Sequence, residues 1–204
     1  NEYSLTTGFD VSTASYVQNF SVATQELTPN GMSFNNDGTK MYVIGSTGDD
    51  VNEYSLSTAF DVSTASYTQL FSVVSQESYP QGITFNNDGT KMYVIGSWED
   101  EVNEYSLSTA FDVSTATYVQ NFSVSNEDTN PNEIVFNHDG TKMFIVGSTG
   151  DAVYQYNLTA PFDVSSATYA QNFSIAVQET WPTGFTFNTD GTKMFVIGLD
   201  GDKV

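Results

Sequence analysis

The chain is 204 residues long and strongly acidic, with 25 Asp and Glu against five Lys and no Arg, and its formal net charge is −20. Nucleic acids and anionic membranes attract proteins through clustered Lys and Arg, so this balance argues against nucleic acid and membrane partners. No run of residues is long and apolar enough for membrane insertion. Cysteine is absent, which excludes disulfides, thiolate metal sites and cysteine nucleophiles.

Four copies of one 51-residue unit make up the chain, without insertion or deletion between them. A fixed period of this length is typical of folds in which each unit buries its apolar face against the next. We therefore treat the chain as a single repeat domain with copies at 1–51, 52–102, 103–153 and 154–204.

Within the second copy, alternating apolar and polar residues predict a hairpin of strands at 82–86 and 91–95, joined by an Asp-Gly turn. A third strand is predicted at 102–107 and, after a longer connection, a fourth at 118–124. No segment has helical periodicity with caps. Four antiparallel strands per unit predict an all-β fold, a β-propeller with four four-stranded blades per chain, with a β-solenoid as the alternative.

The first hairpin reads Phe-Asn-Asn-Asp-Gly-Thr-Lys-Met-Tyr-Val at 34–43, and its pattern recurs in all four copies. It resembles the repeat line of YVTN and NHL-like β-propellers. The connector at 60–67 is similar to one in large, highly repetitive bacterial and phage propellers. The resemblance covers the whole chain and implies the propeller fold. It implies no single function, because that superfamily includes surface-layer proteins, adhesins, scaffolds and a few lactonases.

The copies begin and end inside the predicted third strand of a blade. This phase indicates three arrangements: a four-bladed ring closed by a strand shared between the termini, an eight-bladed ring of two chains, or a fragment of a longer repeat protein. Open blade edges would then favour a homodimer or other self-association.

Differences among the copies cluster in two loops that would emerge on the same face of a propeller, which we call the top face. Aromatic residues occur in both loops. Such loops either drift neutrally or specialise for binding, and exposed Trp and Tyr are common anchors for glycan or protein partners. The candidate ligand-binding residues are Tyr79, Trp98 and Trp181.

The same loops contain a repeated set of carboxylates, which could bind Ca²⁺ or could instead be solvated turn acids and caps on backbone N–H groups. No cofactor is otherwise required. The candidate calcium ligands are Glu26, Asp49, Glu77, Asp100, Asp128, Asp151, Glu179 and Asp202.

Two polar columns are invariant among the copies. The glutamines lie on an otherwise apolar strand face, so we expect them to form hydrogen bonds between blades or between a strand and a loop. The lysines follow the hairpin turns and predict a repeated ion pair with a nearby Asp. These residues are Gln18, Gln69, Gln120 and Gln171, and Lys40, Lys91, Lys142 and Lys193.

His138 is the only histidine and occupies a turn, so the residues for Ser-His-Asp or histidine-metal catalysis are missing. We therefore expect a noncatalytic module for recognition or scaffolding, not an enzyme, in a larger surface, adhesin or phage-fibre-like protein. Composition favours an extracellular, cell-surface or virion-surface location. The alternative is a carboxylate-based hydrolase of glycosidase or lactonase type, with Glu26, Glu77 and Glu179 around the propeller channel.

Overall fold

The computed structural model describes residues 1–8 and 10–200, and this part of the chain is all-β. Three four-stranded antiparallel sheets form complete blades, and a two-stranded sheet lies at each end of the series. The strands are β1 (Glu2–Leu5), β2 (Ala14–Gln18), β3 (Pro29–Phe34), β4 (Lys40–Gly45), β5 (Asp50–Leu56), β6 (Ala65–Ser72), β7 (Pro80–Phe85), β8 (Lys91–Gly96), β9 (Glu101–Leu107), β10 (Ala116–Ser123), β11 (Pro131–Phe136), β12 (Lys142–Gly147), β13 (Ala152–Leu158), β14 (Ala167–Ser174), β15 (Pro182–Phe187) and β16 (Met194–Gly198).

The first strands of consecutive blades lie side by side, β3 against β7, β7 against β11 and β11 against β15. They are therefore the inner strands that face the propeller axis, and the fourth strand of each blade is outermost. The predicted β-propeller with four-stranded blades is confirmed. In the described residues β1–β2 and β15–β16 form separate sheets, so ring closure stays a prediction.

Each blade begins with a tight hairpin whose turn needs Gly. Gly89 has φ of +71°, which L side chains rarely adopt. The Asp88 carboxylate accepts hydrogen bonds from the backbone N–H of Thr90 at 3.0 Å and from its hydroxyl at 2.5 Å. These bonds lower the pKa of Asp88. The Asp-Gly turns are therefore structural hairpins.

Apolar residues of one blade pack on the next. Tyr42 and Ile44 of β4 are fully buried in a cluster that also contains Ile83, Met92 and Val94 of the following blade. No helix of the described residues is long and apolar enough to cross a membrane. The short helices are 3₁₀ turns in the connectors, at Val11–Thr13, Val62–Thr64, Val113–Thr115 and Val164–Ser166.

These connectors join neighbouring blades. Phe111 has φ of +58°, an uncommon conformation for a bulky residue, and its ring covers Gly89 of its own blade. Its carbonyl oxygen accepts hydrogen bonds from Lys40 Nζ at 2.7 Å and Tyr42 Oη at 2.6 Å in the preceding blade. Phe162 is held in the same way one blade later.

Glu53 is the acidic partner of the lysine, since its carboxylate lies 2.7 Å from Lys40 Nζ. Lys40 and Lys91 therefore pair with a Glu on the third strand, and the predicted Asp partner is wrong for these two lysines. Gln69 donates to Glu53 at 3.0 Å and to Asp112 of the next blade at 2.7 Å. Gln18, Gln69 and Gln120 thus form bonds between blades, as predicted. In the described residues Gln171 donates to Gln155 of its own blade.

Candidate functional site

Glu133 is the residue that most clearly breaks the equivalence of the blades. It lies on the inner strand β11, at a position occupied by Gly31, Gly82 and Gly184 in the other copies. Its carboxylate leans against β7, because a Cβ added at Gly82 would lie 2.7 Å from Glu133 Oε1. A single carboxyl group therefore stands among glycines on the inner strands. Our sequence interpretation missed it, although comparing the four copies at this column would have found it.

Burial raises the pKa of Glu133 to about 8, while a hydrogen bond from the backbone N–H of Ile134 opposes the shift. That N–H donates to Glu133 Oε1 at 2.9 Å. The side chain keeps some exposure to solvent. Near neutral pH the group is therefore mainly a carboxylic acid that can donate a proton and whose conjugate base can take it back.

Glu133 is also close to the top face. It is the third residue of β11, which begins at the top with Pro131, so it lies about 7 Å below that end of the strand. Its carboxylate leans toward blade two, whose inner strand begins at Pro80 directly after Tyr79. The top loops of blade two therefore border the approach to Glu133.

The structure brings together two of the three predicted ligand-binding residues. The backbone N–H groups of Tyr79 and Trp98 both donate to Glu77 Oε1, at 2.7 and 3.3 Å. Both side chains are exposed, Trp98 by 74%. Trp181 is also exposed but belongs to the last sheet, where its N–H donates to Glu179 at 2.8 Å. Tyr79 and Trp98, which we call the aromatic pair, thus share one carboxylate at the top of blade two.

The acidic column before the inner strands is buried. Glu26 accepts backbone N–H groups from Thr28, Thr47 and Gly48 at 2.7 to 3.1 Å. These carboxylates tie the two top loops of a blade together, which is the capping role that the sequence left open. The buried members are Glu26, Glu77, Asp128 and Glu179.

Glu77 differs from its counterparts because an exposed acid, Glu99, replaces the glycine found at Gly48 and Gly150. Glu77 Oε2 is buried and has no hydrogen-bond partner among the described residues. Burial, followed by the charge of Glu99, raises the pKa of Glu77 to about 7.

The second acidic column has left-handed backbone, with φ of 50° at Asp49, 55° at Asp100 and 47° at Asp151. Each residue has one buried carboxylate oxygen without a hydrogen-bond partner. Burial and neighbouring carboxylates raise the pKa of all three. In the described residues no three His, Cys, Asp or Glu side chains are grouped so that they could hold a metal ion. Asp202, the remaining candidate, lies outside the described residues.

No family model and no curated protein matches the chain. Among solved structures, a proposed 6-phosphogluconolactonase from Bacteroides uniformis has TM-score 0.63 at 14% identity, covering 98% of this chain and 57% of that one. A periplasmic gluconolactonase from Pseudomonas aeruginosa has TM-score 0.55 at 15% identity, covering 84% and 47%. A β-propeller domain from Myceliophteria thermophila has TM-score 0.55 at 10% identity, covering 85% and 51%. The chain spans about half the length of the solved structures it matches.

These neighbours correct two expectations, that the chain is a noncatalytic recognition or scaffolding module and that it is not an enzyme. Proteins named as lactonases favour the hydrolase alternative instead. The expectation failed for a physical reason. It assumed that four similar blades offer four similar carboxylates, whereas Glu133 has no counterpart in the other copies. At these identities the likeness shows the fold alone, so the activity is a matter for proposal.

Proposed function

We propose that the chain contributes the catalytic carboxyl group of a lactonase-type hydrolase, and that Glu133 is this group. The observation on which the proposal rests is the position of Glu133 on an inner strand, where the other three copies have glycine. Its raised pKa supports the assignment, because an acid-base catalyst works best when its pKa lies near the working pH.

The chemistry consumes one water molecule. Water adds to the ester carbonyl carbon, and the bond between that carbon and the ring oxygen then breaks. The ring oxygen leaves as a hydroxyl group and takes the proton of Glu133. The proton lost by the attacking water returns to the Glu133 carboxylate, so the acid is regenerated.

The other carboxyl groups considered for hydrolysis fit this role less well. The Glu26 carboxylate accepts three hydrogen bonds, all from backbone N–H groups, and the side chain is 1% exposed. Glu179 is likewise buried and accepts the backbone N–H groups of Trp181 and Asp200. Glu77 is completely buried. These groups hold loops, whereas Glu133 is partly exposed to solvent.

The test compares hydrolysis of glucono-1,5-lactone by wild type, Glu133→Gln and Glu133→Gly, after subtraction of the spontaneous rate. Gln preserves the shape of the side chain, and Gly restores the residue of the other copies. Both variants should lose about 100-fold or more in kcat, because the proton donor is gone. Asp37→Asn is the matched control, since it removes an exposed carboxyl at a bottom hairpin turn, and it should retain activity.

Two results would overturn the proposal. One is wild-type protein that fails to accelerate hydrolysis of any lactone in a panel of ring sizes. The other is lactone hydrolysis that persists within about twofold in both Glu133 variants, since removing a general acid costs far more.

The finer family assignment, to YVTN or NHL-like propellers, belongs to the same proposal and is supported by the hairpin pattern in all four copies. An extracellular, cell-surface or virion-surface location, Ca²⁺ binding, self-association and a glycan or protein partner remain separate proposals from composition and loop chemistry. Metal content before and after EDTA treatment tests the calcium proposal.

A further inference from the structure

We infer that the lactone accepted at Glu133 is uncharged, and that its phosphorylated counterpart is a poor substrate. This inference rests on the proposed function and specifies the substrate class of the same site. Three observations support it: the carboxylates that border the top of the inner strands, the placement of the lysines, and the aromatic pair of blade two.

The carboxylates of the top loops already repel one another. Asp100 is affected by the charges of Asp128 and Glu99, and these interactions add to burial in raising the pKa of Asp100. Asp151 is affected by Asp128 and also by Glu179 and Asp200. A phosphate dianion approaching Glu133 from the top would meet the same field, whereas a neutral ring would not.

The lysines of the described residues lie at the opposite face. Each follows a bottom hairpin turn, at the start of the second strand of its blade or immediately before it. Lys40 and Lys91 are already paired with Glu53 and Glu104, each at 2.7 Å. The described residues therefore place no cation beside Glu133 to bind a phosphate. The fifth lysine, Lys203, lies outside them.

Tyr79 and Trp98 supply a surface suited to a neutral sugar ring. Their side chains are exposed on the blade toward which Glu133 leans. Tyr79 is three residues before Gly82 on the chain, which corresponds to about 10 Å along an extended strand. Aromatic faces pack on the apolar face of a sugar ring.

The test measures kcat/KM for glucono-1,5-lactone and for its 6-phosphate, with the full chain, at low and at high ionic strength. At low ionic strength the phosphorylated lactone should be at least about tenfold poorer, because repulsion in the acidic field is unscreened. Salt should bring the two kcat/KM values closer together. It should raise kcat/KM for the phosphorylated lactone and leave kcat/KM for the neutral lactone constant.

A matched variant separates charge from shape. Asp100→Asn with Asp151→Asn removes two charges, and Asn tolerates the left-handed backbone at both positions. This double variant should improve kcat/KM for the phosphorylated lactone about threefold or more and leave the neutral lactone unchanged.

The outcomes distinguish the two proposals. Equal or better use of the phosphorylated lactone, with activity still lost in Glu133→Gln, overturns this inference and leaves the proposed function standing. If neither lactone is hydrolysed, the proposed function fails first.

Discussion

The phenol of Tyr154 donates a hydrogen bond to the Asp128 carboxylate at 3.2 Å across the top of the third blade. In the first two blades the same positions are Asn52 with Glu26 and Asn103 with Glu77. The third blade therefore has a shorter acid and a longer partner. The longer partner reaches the shorter acid, and the backbone N–H groups of Thr149 and Gly150 donate to the same carboxylate.

We expect Asp128→Glu to destabilise the protein by about 1 to 3 kcal/mol, because the added methylene crowds the Tyr154 ring. The double variant Asp128→Glu with Tyr154→Asn recreates the pair of the first two blades and should recover most of that loss. Urea unfolding of the single and double variants measures the coupling. Strictly additive effects would show that the two residues are independent.

The glycine turns offer a matched pair of substitutions. Gly89 and Gly191 have nearly the same φ, +71° and +69°. An added Cβ at Gly89 would lie 2.2 Å from the Phe111 ring, whereas at Gly191 nothing described lies within 4 Å. Gly191→Ala should therefore cost only backbone strain, about 1 to 2 kcal/mol.

For Gly89→Ala we expect a larger loss, because the Phe111 ring must also move away and overpacking adds about 1 to 3 kcal/mol. Thermal and urea unfolding of the two alanine variants compare the costs. Equal losses would contradict the packing of the connector on the turn.

Glu53 is expected to be a main contributor to blade-to-blade stability, since it is 2% exposed and binds Lys40, Gln69 and the N–H of Val113. Glu53→Ala leaves these donors without an acceptor and should cost about 3 to 5 kcal/mol. Glu53→Gln keeps an acceptor and should cost less.

Gln155 occupies the equivalent position in the third blade and accepts from Gln171 at 3.0 Å. Gln155→Ala is therefore the matched control and should cost about 1 kcal/mol. If the alanine variants at 53 and 155 lose the same stability in urea, the buried ion pair has no special role.

Burial of Glu133 also predicts a pH dependence of stability. Its pKa is about 8 in the folded chain and 4.5 as a model value, so between these limits the folded state binds more protons than the unfolded state. Stability should therefore fall as pH rises from about 5 to about 8, by up to about 1.4 kcal/mol per pH unit.

Glu133→Gln removes this titration, so its unfolding free energy should fall less steeply with pH than that of wild type. Urea unfolding at intervals across that range provides the comparison, and Glu133→Gly is a second variant with the residue of the other copies. Parallel curves for wild type and both variants would contradict a buried, protonated Glu133.

Much of the fold could be predicted because the local patterns agree with one another. Alternation predicted the strands, Asp-Gly predicted turns such as that at Gly89, and the invariant Gln69 predicted a bond between blades. The acid paired with Lys40 could not be predicted, because Glu53 is on a different strand and only the sheet register brings it near.

The candidate site was less predictable. Glu77 and Glu99 are 22 positions apart, and only the path of two loops makes one carboxyl affect the pKa of the other. Comparing the copies could have identified Glu133, because it is an acid at a position where the other three copies have glycine. Its significance depended on knowing that β11 is an inner strand and that the side chain leans on Gly82.

The central claim is that Glu133 acts as the proton donor, and the pH profile of kcat/KM for glucono-1,5-lactone tests it most directly. With the spontaneous rate subtracted, wild type should lose activity as pH rises through an apparent pKa of about 8. Glu133→Gln should show low activity with no such transition. A wild-type profile that is flat from about pH 6 to 10, or one that Glu133→Gln reproduces, would contradict the claim.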